Sequence, residues 1–333
     1  MNAARRARPG GSGQRGRSAA RCLRGGLPPR ARACSVTGMI AIDWGTSSAR
    51  AYRLGPTGSV TERRETGRGI MQVAGGDFPA ALRDLAGDWI AAGEGRVLLS
   101  GMIGSRQGWR EVPYRACPAG LADLAAGVEA VPFPGAAVRI VPGLSARDAS
   151  GIPEVMRGEE VQVFGALDGR EEALLCLPGS HSKWVRVRGG RIAGFVTSLT
   201  GEAFAALREH TILGRMMRGA PEPGGAFDAG VARAAEPGGL LHHLFGTRTL
   251  GLFGRLPEAE AASYLSGLLI GHDVRANLPA GEAVDLIGSG PLMALYGRAI
   301  AACGGTARAG DPDAALRGLA RIGETIAWEC AWA

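Results

Sequence analysis

An α/β fold built from two similar halves, each a mixed sheet flanked by helices, follows from three observations. One pattern occurs twice, about 134 positions apart: an apolar strand, a Gly turn carrying hydroxyl residues, an alternating strand, a second turn and a third strand. The first copy starts at Met39 and turns at Gly45, Thr46, Ser47 and Ser48; the second starts at Leu174 and turns at Gly179, Ser180, His181 and Ser182. Period-2 alternation around a Gly turn is a strong hairpin signal. Apolar residues at helical spacing follow each hairpin set. Finally, 333 residues with 46% apolar content can fill two cores.

In chain order, the three strands from Met39 lead into a helix over 77–92, with Phe78, Leu82, Leu85 and Trp89 on one face. A buried strand over 96–99 ends in the Gly-rich segment SGMIGSRQGW. A helix is expected over 119–128, a strand over 138–141 and a helix over 158–167, whose first turn carries Glu159 and Glu160. The second half repeats the plan: three strands, helices over 202–217, 226–233 and 257–277, a strand over 283–287, a Gly turn into another helix, and a closing helix over 313–328. The domain boundary is expected near 168–172, giving domains 39–169 and 170–333, with the last helix returning to the first domain.

Charge patterning separates off residues 1–38, which hold nine Arg and no acidic residue. This Arg-, Gly- and Pro-rich leader has too little apolar surface to offset its ordering entropy, so disorder is expected. The favoured reading is non-native sequence translated from an upstream start, with Met39 opening the body; a solvated tail and an organelle-targeting peptide are the alternatives. The remainder carries 29 basic and 31 acidic residues, a net of −2, which gives no argument for nucleic acid. The six Cys are scattered, with no metal-ligand spacing, and no apolar run reaches a membrane-spanning length. A cytoplasmic protein is expected. A homodimer is compatible with the sequence, which does not fix oligomeric state.

Converging backbone N–H groups and hydroxyls in a Gly turn suit an anion, and two such hairpins facing across a cleft would grip a nucleotide's phosphates from both sides. Asp43, between the first strand and Gly45, is placed to hold Mg²⁺ through water near those phosphates, or else simply caps its turn. Lys183 is the only lysine beside 37 arginines, and it lies in the second turn, where a compact ammonium serves a phosphate. Gly288, Ser289 and Gly290 form a strand-to-helix turn that a nucleotide can approach closely. A third Gly of a dinucleotide fingerprint is missing there, and no Gly-x-x-x-x-Gly-Lys-Ser/Thr segment exists, which removes Rossmann and P-loop readings.

These three turns resemble the phosphate-1, phosphate-2 and adenosine loops of the sugar-kinase, heat-shock ATPase and actin superfamily. Within it, IAIDWGTSSAR, SGMIGSRQGW, MRGEEVQVFGA, LPGSHSKW, TGE and YLSGLLIG, in that order, are similar to the 2-dehydro-3-deoxygalactonokinase family, from Met39 to about Ala327. The resemblance implies two duplicated actin-like (ribonuclease H-like) domains with ATP and Mg²⁺ bound between them. It implies phosphorylation of the terminal hydroxyl of 2-dehydro-3-deoxy-D-galactonate, a small sugar acid, with no nucleic-acid or membrane partner. Relatives place the catalytic base in a Gly-Asp-Gln-like segment, which maps onto Gly158, Glu159 and Glu160 and leaves the choice between the two Glu open. The substrate's carboxylate calls for an Arg; Arg157 is favoured over Arg106, with Gly104 and Ser105 lining the sugar site and Trp109 either closing over the sugar or serving as a core residue. Pro178 stands where many relatives have Asp, so metal binding falls mainly on Asp43. A kinase for another sugar acid, or an ATP-binding regulator on the same fold, are the competing readings.

Overall fold

The computed structural model describes residues 38–288 and 290–328; the expectations for the leader and for Ser289 lie outside the described residues. In the first half, β1 (Met39–Trp44), β2 (Ala49–Leu54) and β3 (Val60–Thr66) form an antiparallel meander. Helix α1 (Phe78–Ala91) begins where the Asp77 carboxylate accepts the Ala80 N–H at 2.9 Å, with Pro79 in the first turn. Strand β4 (Arg96–Ser100) then returns parallel to β1. The half is completed by β5 (Arg115–Ala116), α2 (Leu121–Ala126), β6 (Glu129–Val131), β7 (Ala137–Ile140), β8 (Leu144–Arg147), β9 (Pro153–Met156) and α3 (Glu159–Ala166).

The second half contains β10 (Ala173–Leu177), β11 (Ser182–Arg188), β12 (Arg191–Ser198), α4 (Thr200–His210), α5 (Gly225–Arg233), α6 (Gly239–Leu252), α7 (Glu258–Asn277), β13 (Ala283–Leu286), α8 (Gly290–Ala302), β14 (Thr306–Ala309) and α9 (Ala314–Thr325). The two main sheets run β3-β2-β1-β4-β7-β6 and β12-β11-β10-β13-β14, so their first five strands share one order. They also share direction: a meander, then two parallel additions. Strands β5, β8 and β9 form a separate small sheet.

Three differences from the sequence expectations have physical causes. Helix α4 stops at His210 rather than running to 217, because the Thr211 hydroxyl turns back to the Leu207 carbonyl and Gly214 comes against the Arg208 carbonyl. Helix α6 was not expected, since its apolar residues cover most of its circumference and three Gly interrupt it. The small sheet and β14 are short strands flanked by Gly or Pro, below the length at which alternation can be read.

One packing contact positions the cleft. Helix α9 lies against α3 at backbone distance: a Cβ on Gly165 would stand 1.8 Å from the Ala314 carbonyl oxygen, and one on Gly318 would stand 1.9 Å from that of Val161. Around this crossing Val161, Phe164, Leu316, Leu319 and Ile322 join Leu175 and Val185 in one buried core. A second core fills the space between the first sheet and α1, and a third lies between the second sheet, α5, α7 and α8. Gly318→Ala is expected to cost roughly 1–3 kcal/mol through overpacking, read as a lower urea midpoint; an unchanged midpoint would contradict the backbone-to-backbone packing.

Candidate active site

A cavity of about 710 Å³ lies between the carboxyl ends of the two main sheets. One wall comes from the first half: Asp43 at the end of β1, Gly45 and Thr46 in the turn, Gly101 and Met102 after β4, and Arg157, Gly158 and Glu159 at the start of α3. The other comes from the second half: Pro178, Gly179, Ser180 and His181 after β10, and Gly288 and Gly290 after β13. Asp311, Asp313 and Ala314, leading into α9, close one side.

Both glycine turns are braced from behind. The Ile70 and Met71 N–H groups donate to the Gly45 and Thr46 carbonyls at 3.0 and 3.3 Å, with Gly69 pressed against Thr46. In the second turn the Glu202 N–H donates to the Ser180 carbonyl at 2.9 Å, Gly201 abuts Gly179, and His181 Nε2 contacts the Glu202 carboxylate. Beneath this turn, the buried Asp273 accepts from Ser182 Oγ (2.6 Å), Thr200 Oγ1 (3.0 Å), Trp184 Nε1 (3.1 Å), Asn277 Nδ2 (3.1 Å) and the Tyr296 hydroxyl (2.6 Å). A buried carboxylate with this many donors is fully satisfied and holds its neighbours in place.

The carboxylates at the cleft differ sharply. Asp43 is raised from its ordinary 3.8 to about 6, mainly by burial; the Arg50 charge opposes the shift and the Glu159 charge adds to it. Glu159, partly exposed to the cavity, accepts the Arg157 N–H at 2.9 Å, and its Oε1 stands 3.5 Å from Lys183 Nζ on β11. That contact spans the cleft, and Lys183 is itself buried. Glu160 is fully buried, and both its oxygens accept the Gly158 N–H, at 2.9 and 2.8 Å. Burial, helped by the Glu159 charge, pushes it up to about 8. Gly158 makes this fold-back possible with φ +105°, a region other residues avoid.

Arg157 is 8% exposed and has no carboxylate ion-pair partner among the described residues. Its guanidinium stacks 4.4 Å above Tyr114 and donates through Nη2 to the Val112 carbonyl at 2.7 Å. Nε and Nη1 are buried without a hydrogen-bond partner among the described residues.

Of the residues expected to form the site, Asp43, Gly45, Thr46, Arg157, Glu159, Gly179, Ser180, His181, Gly288 and Gly290 line the one cavity. The structure places others away from the cavity lining. Glu160 is sealed off beneath its own helix start. Ser182 turns its hydroxyl inward to Asp273. Trp109, partly buried, packs edge-on against Phe133, Gly104 lies against Arg157 Nη1, and Ser105 is buried. Ser47 and Ser48 are in the first turn but outside the lining residues. Lys183 also sits outside that lining, yet its ammonium reaches Glu159. The bracing Gly69–Met71 segment, the Asp273 hub and the Asp311–Asp313 wall were missed, because nothing local in their sequence signals a role that depends on long-range packing.

Two glycine turns on matching sheets, with carboxylates and a lysine converging between them, suit a carbohydrate kinase. The 2-keto-3-deoxy-galactonokinase family model matches residues 43–322, and the chain belongs to that family. A Rhizobium meliloti (strain 1021) protein bearing the name probable 2-dehydro-3-deoxygalactonokinase DgoK1 is 38% identical over 86% of this chain and 96% of its own. The 2-dehydro-3-deoxygalactonokinase of Escherichia coli (strain K12) is 33% identical over 84% of this chain and 97% of its own. A solved structure of a 2-dehydro-3-deoxygalactonokinase-type protein from Sinorhizobium meliloti superposes with a TM-score of 0.79 at 36% identity, covering 86% of this chain and 97% of that chain.

The state of Glu160 has a measurable consequence. A folded-state pKa raised from 4.5 to about 8 means that stability is fully present below pH 4.5 and is lost as pH rises toward 8. Glu160→Gln is therefore expected to match the wild type in acid and to exceed it above pH 8 by on the order of a few kcal/mol. Thermal melts across pH test this; parallel curves for the two proteins would refute a buried neutral acid.

Proposed function

We propose that this cleft transfers the γ-phosphoryl group of ATP to the terminal (C6) hydroxyl of 2-dehydro-3-deoxy-D-galactonate, as a cytoplasmic step of galactonate catabolism. The observation that carries the reading is the convergence of both glycine turns and Glu159 on one cavity. Membership of the kinase family supports the same reaction.

Glu159 is the base in this scheme. It takes the hydroxyl proton as the substrate oxygen forms its bond to phosphorus and the bond from phosphorus to the ADP oxygen breaks. Lys183 stands beside it and offers a charge to the phosphate. The backbone of Gly45 and Thr46 and that of Gly179, Ser180 and His181 receive phosphate oxygens from opposite sides. Gly288 and Gly290 take the adenosine, next to an apolar hollow bordered by Phe204, Leu269, Ile270 and Leu292. Asp43 fits a Mg²⁺ site: it is a cleft carboxylate whose elevated pKa a dication would offset, and one carboxylate suits an ion that keeps most of its waters. Bound there, Mg²⁺ would supply charge neutralisation of the phosphates.

Arg157 is the receptor for the substrate carboxylate. A buried guanidinium with two unpartnered nitrogens is costly unless an anion arrives, and a carboxylate answers it with the right geometry. The halves 39–169 and 170–333 act as two closing domains, hinged at 168–172, where Asp168 adopts φ +45°. Closure keeps water from the γ-phosphate.

A coupled ADP-release assay against several 2-keto-3-deoxy sugar acids tests the assignment. Glu159→Gln is expected to lower kcat by about 10²–10⁴ with the KM for ATP little changed; a loss under tenfold removes Glu159 as base. Arg157→Met is expected to raise the KM for the keto acid by tenfold or more, again sparing ATP. Equal weakening for both substrates would remove the carboxylate role.

A further inference from the structure

Helix α6 turns outward the kind of side chain that a folded body ordinarily buries. Its inner face seats His243 and Thr247, both buried. On the outer face Leu241, Phe245 and Leu252 are 84%, 58% and 61% exposed, and Phe253, just past the helix end, is 80% exposed. Together with Arg248, the positions 241, 245, 248 and 252 recur at intervals of four, three and four, which is the seam spacing of paired helices. The helix carries no acidic residue, and Arg248 is its only arginine.

We propose that this face is the surface through which two copies of the chain associate, α6 against α6, antiparallel about a two-fold axis passing between Phe245 and Arg248. That register sets Leu241 against Leu252 of the second copy and Phe245 against Arg248 of the second copy, and each contact occurs twice, as an isologous interface requires. A guanidinium over an aromatic face is a favourable pairing. The stripe is thus its own complement in charge and apolar character, and a second copy places an aromatic face opposite Arg248.

Area favours the same occupant. Four such side chains present about 500 Å² per copy. Pairing would cover roughly 1,000 Å² in total, the lower bound for a specific interface. A dimer that dissociates on dilution is the expected behaviour. The surface lies outside the cavity lining, so the association is independent of the phosphotransfer chemistry.

Sedimentation velocity of the full chain over a concentration series tests the proposal, with turnover and circular dichroism as checks on the fold. The wild type is expected to form a species of twice the chain mass. Phe245→Lys, which sets an ammonium against Arg248 of the second copy, is expected to sediment as a monomer with turnover intact. Phe245→Lys combined with Arg248→Glu restores opposite charges in this register and is expected to dimerise again. A wild type that is monomeric throughout, a Phe245→Lys variant that stays dimeric, or a folded double variant that stays monomeric would each overturn the proposal.

Discussion

The close crossing of α3 and α9 is the constraint on which the cleft depends. Two glycines bring the helices to backbone contact, and no side chain could occupy either position without displacing one helix. Because α9 arrives from the far end of the chain, this crossing ties the last helix to the first sheet and sets the start of α3 at the cleft. The Asp311–Asp313 wall leads directly into the same helix. A shift of α9 would therefore move both Glu159 and one side of the cavity.

The start of α3 illustrates how three neighbouring carboxyl groups acquire separate characters from their surroundings. Glu160 is buried among apolar side chains and backbone and is held neutral. Glu159, one position earlier, points into the cavity and meets a lysine from the opposite sheet. Asp43 sits on the floor, where burial and the Glu159 charge outweigh the pull of Arg50. The positive end of the helix also faces this group, favouring negative charge near it. Proximity alone would have made the three alike; burial and partners separate them. On the other side, Asp273 holds Ser182, Thr200, Trp184 and Tyr296 together, so the second glycine turn is stiffened by a side chain that never reaches the cavity.

Much of this was legible in the sequence because it rests on local signals. Alternation around Gly45 and Gly179 marked both hairpins, the helical spacing of Phe78, Leu82, Leu85 and Trp89 marked α1, and the first-turn Glu residues marked α3. The distinction between Glu159 and Glu160 was not legible, since it turns on the backbone sign at Gly158 and on burial by distant segments. Ser182 looked like a phosphate ligand until strand pleating turned it toward Asp273. Helix α6 escaped notice because the expected signal is a polar outer face, and here the outer face is apolar; the departure from amphipathic pattern coincides with an exposed stripe rather than a buried one.

The solitary lysine has a practical corollary. Lys183 is the one side-chain amine in the sequence, and it lies buried in contact with Glu159 from the opposite wall. Acylating reagents therefore encounter a single internal target, shielded by its burial. Its modification rate becomes a built-in gauge of access to that interior, available in solution without any introduced label.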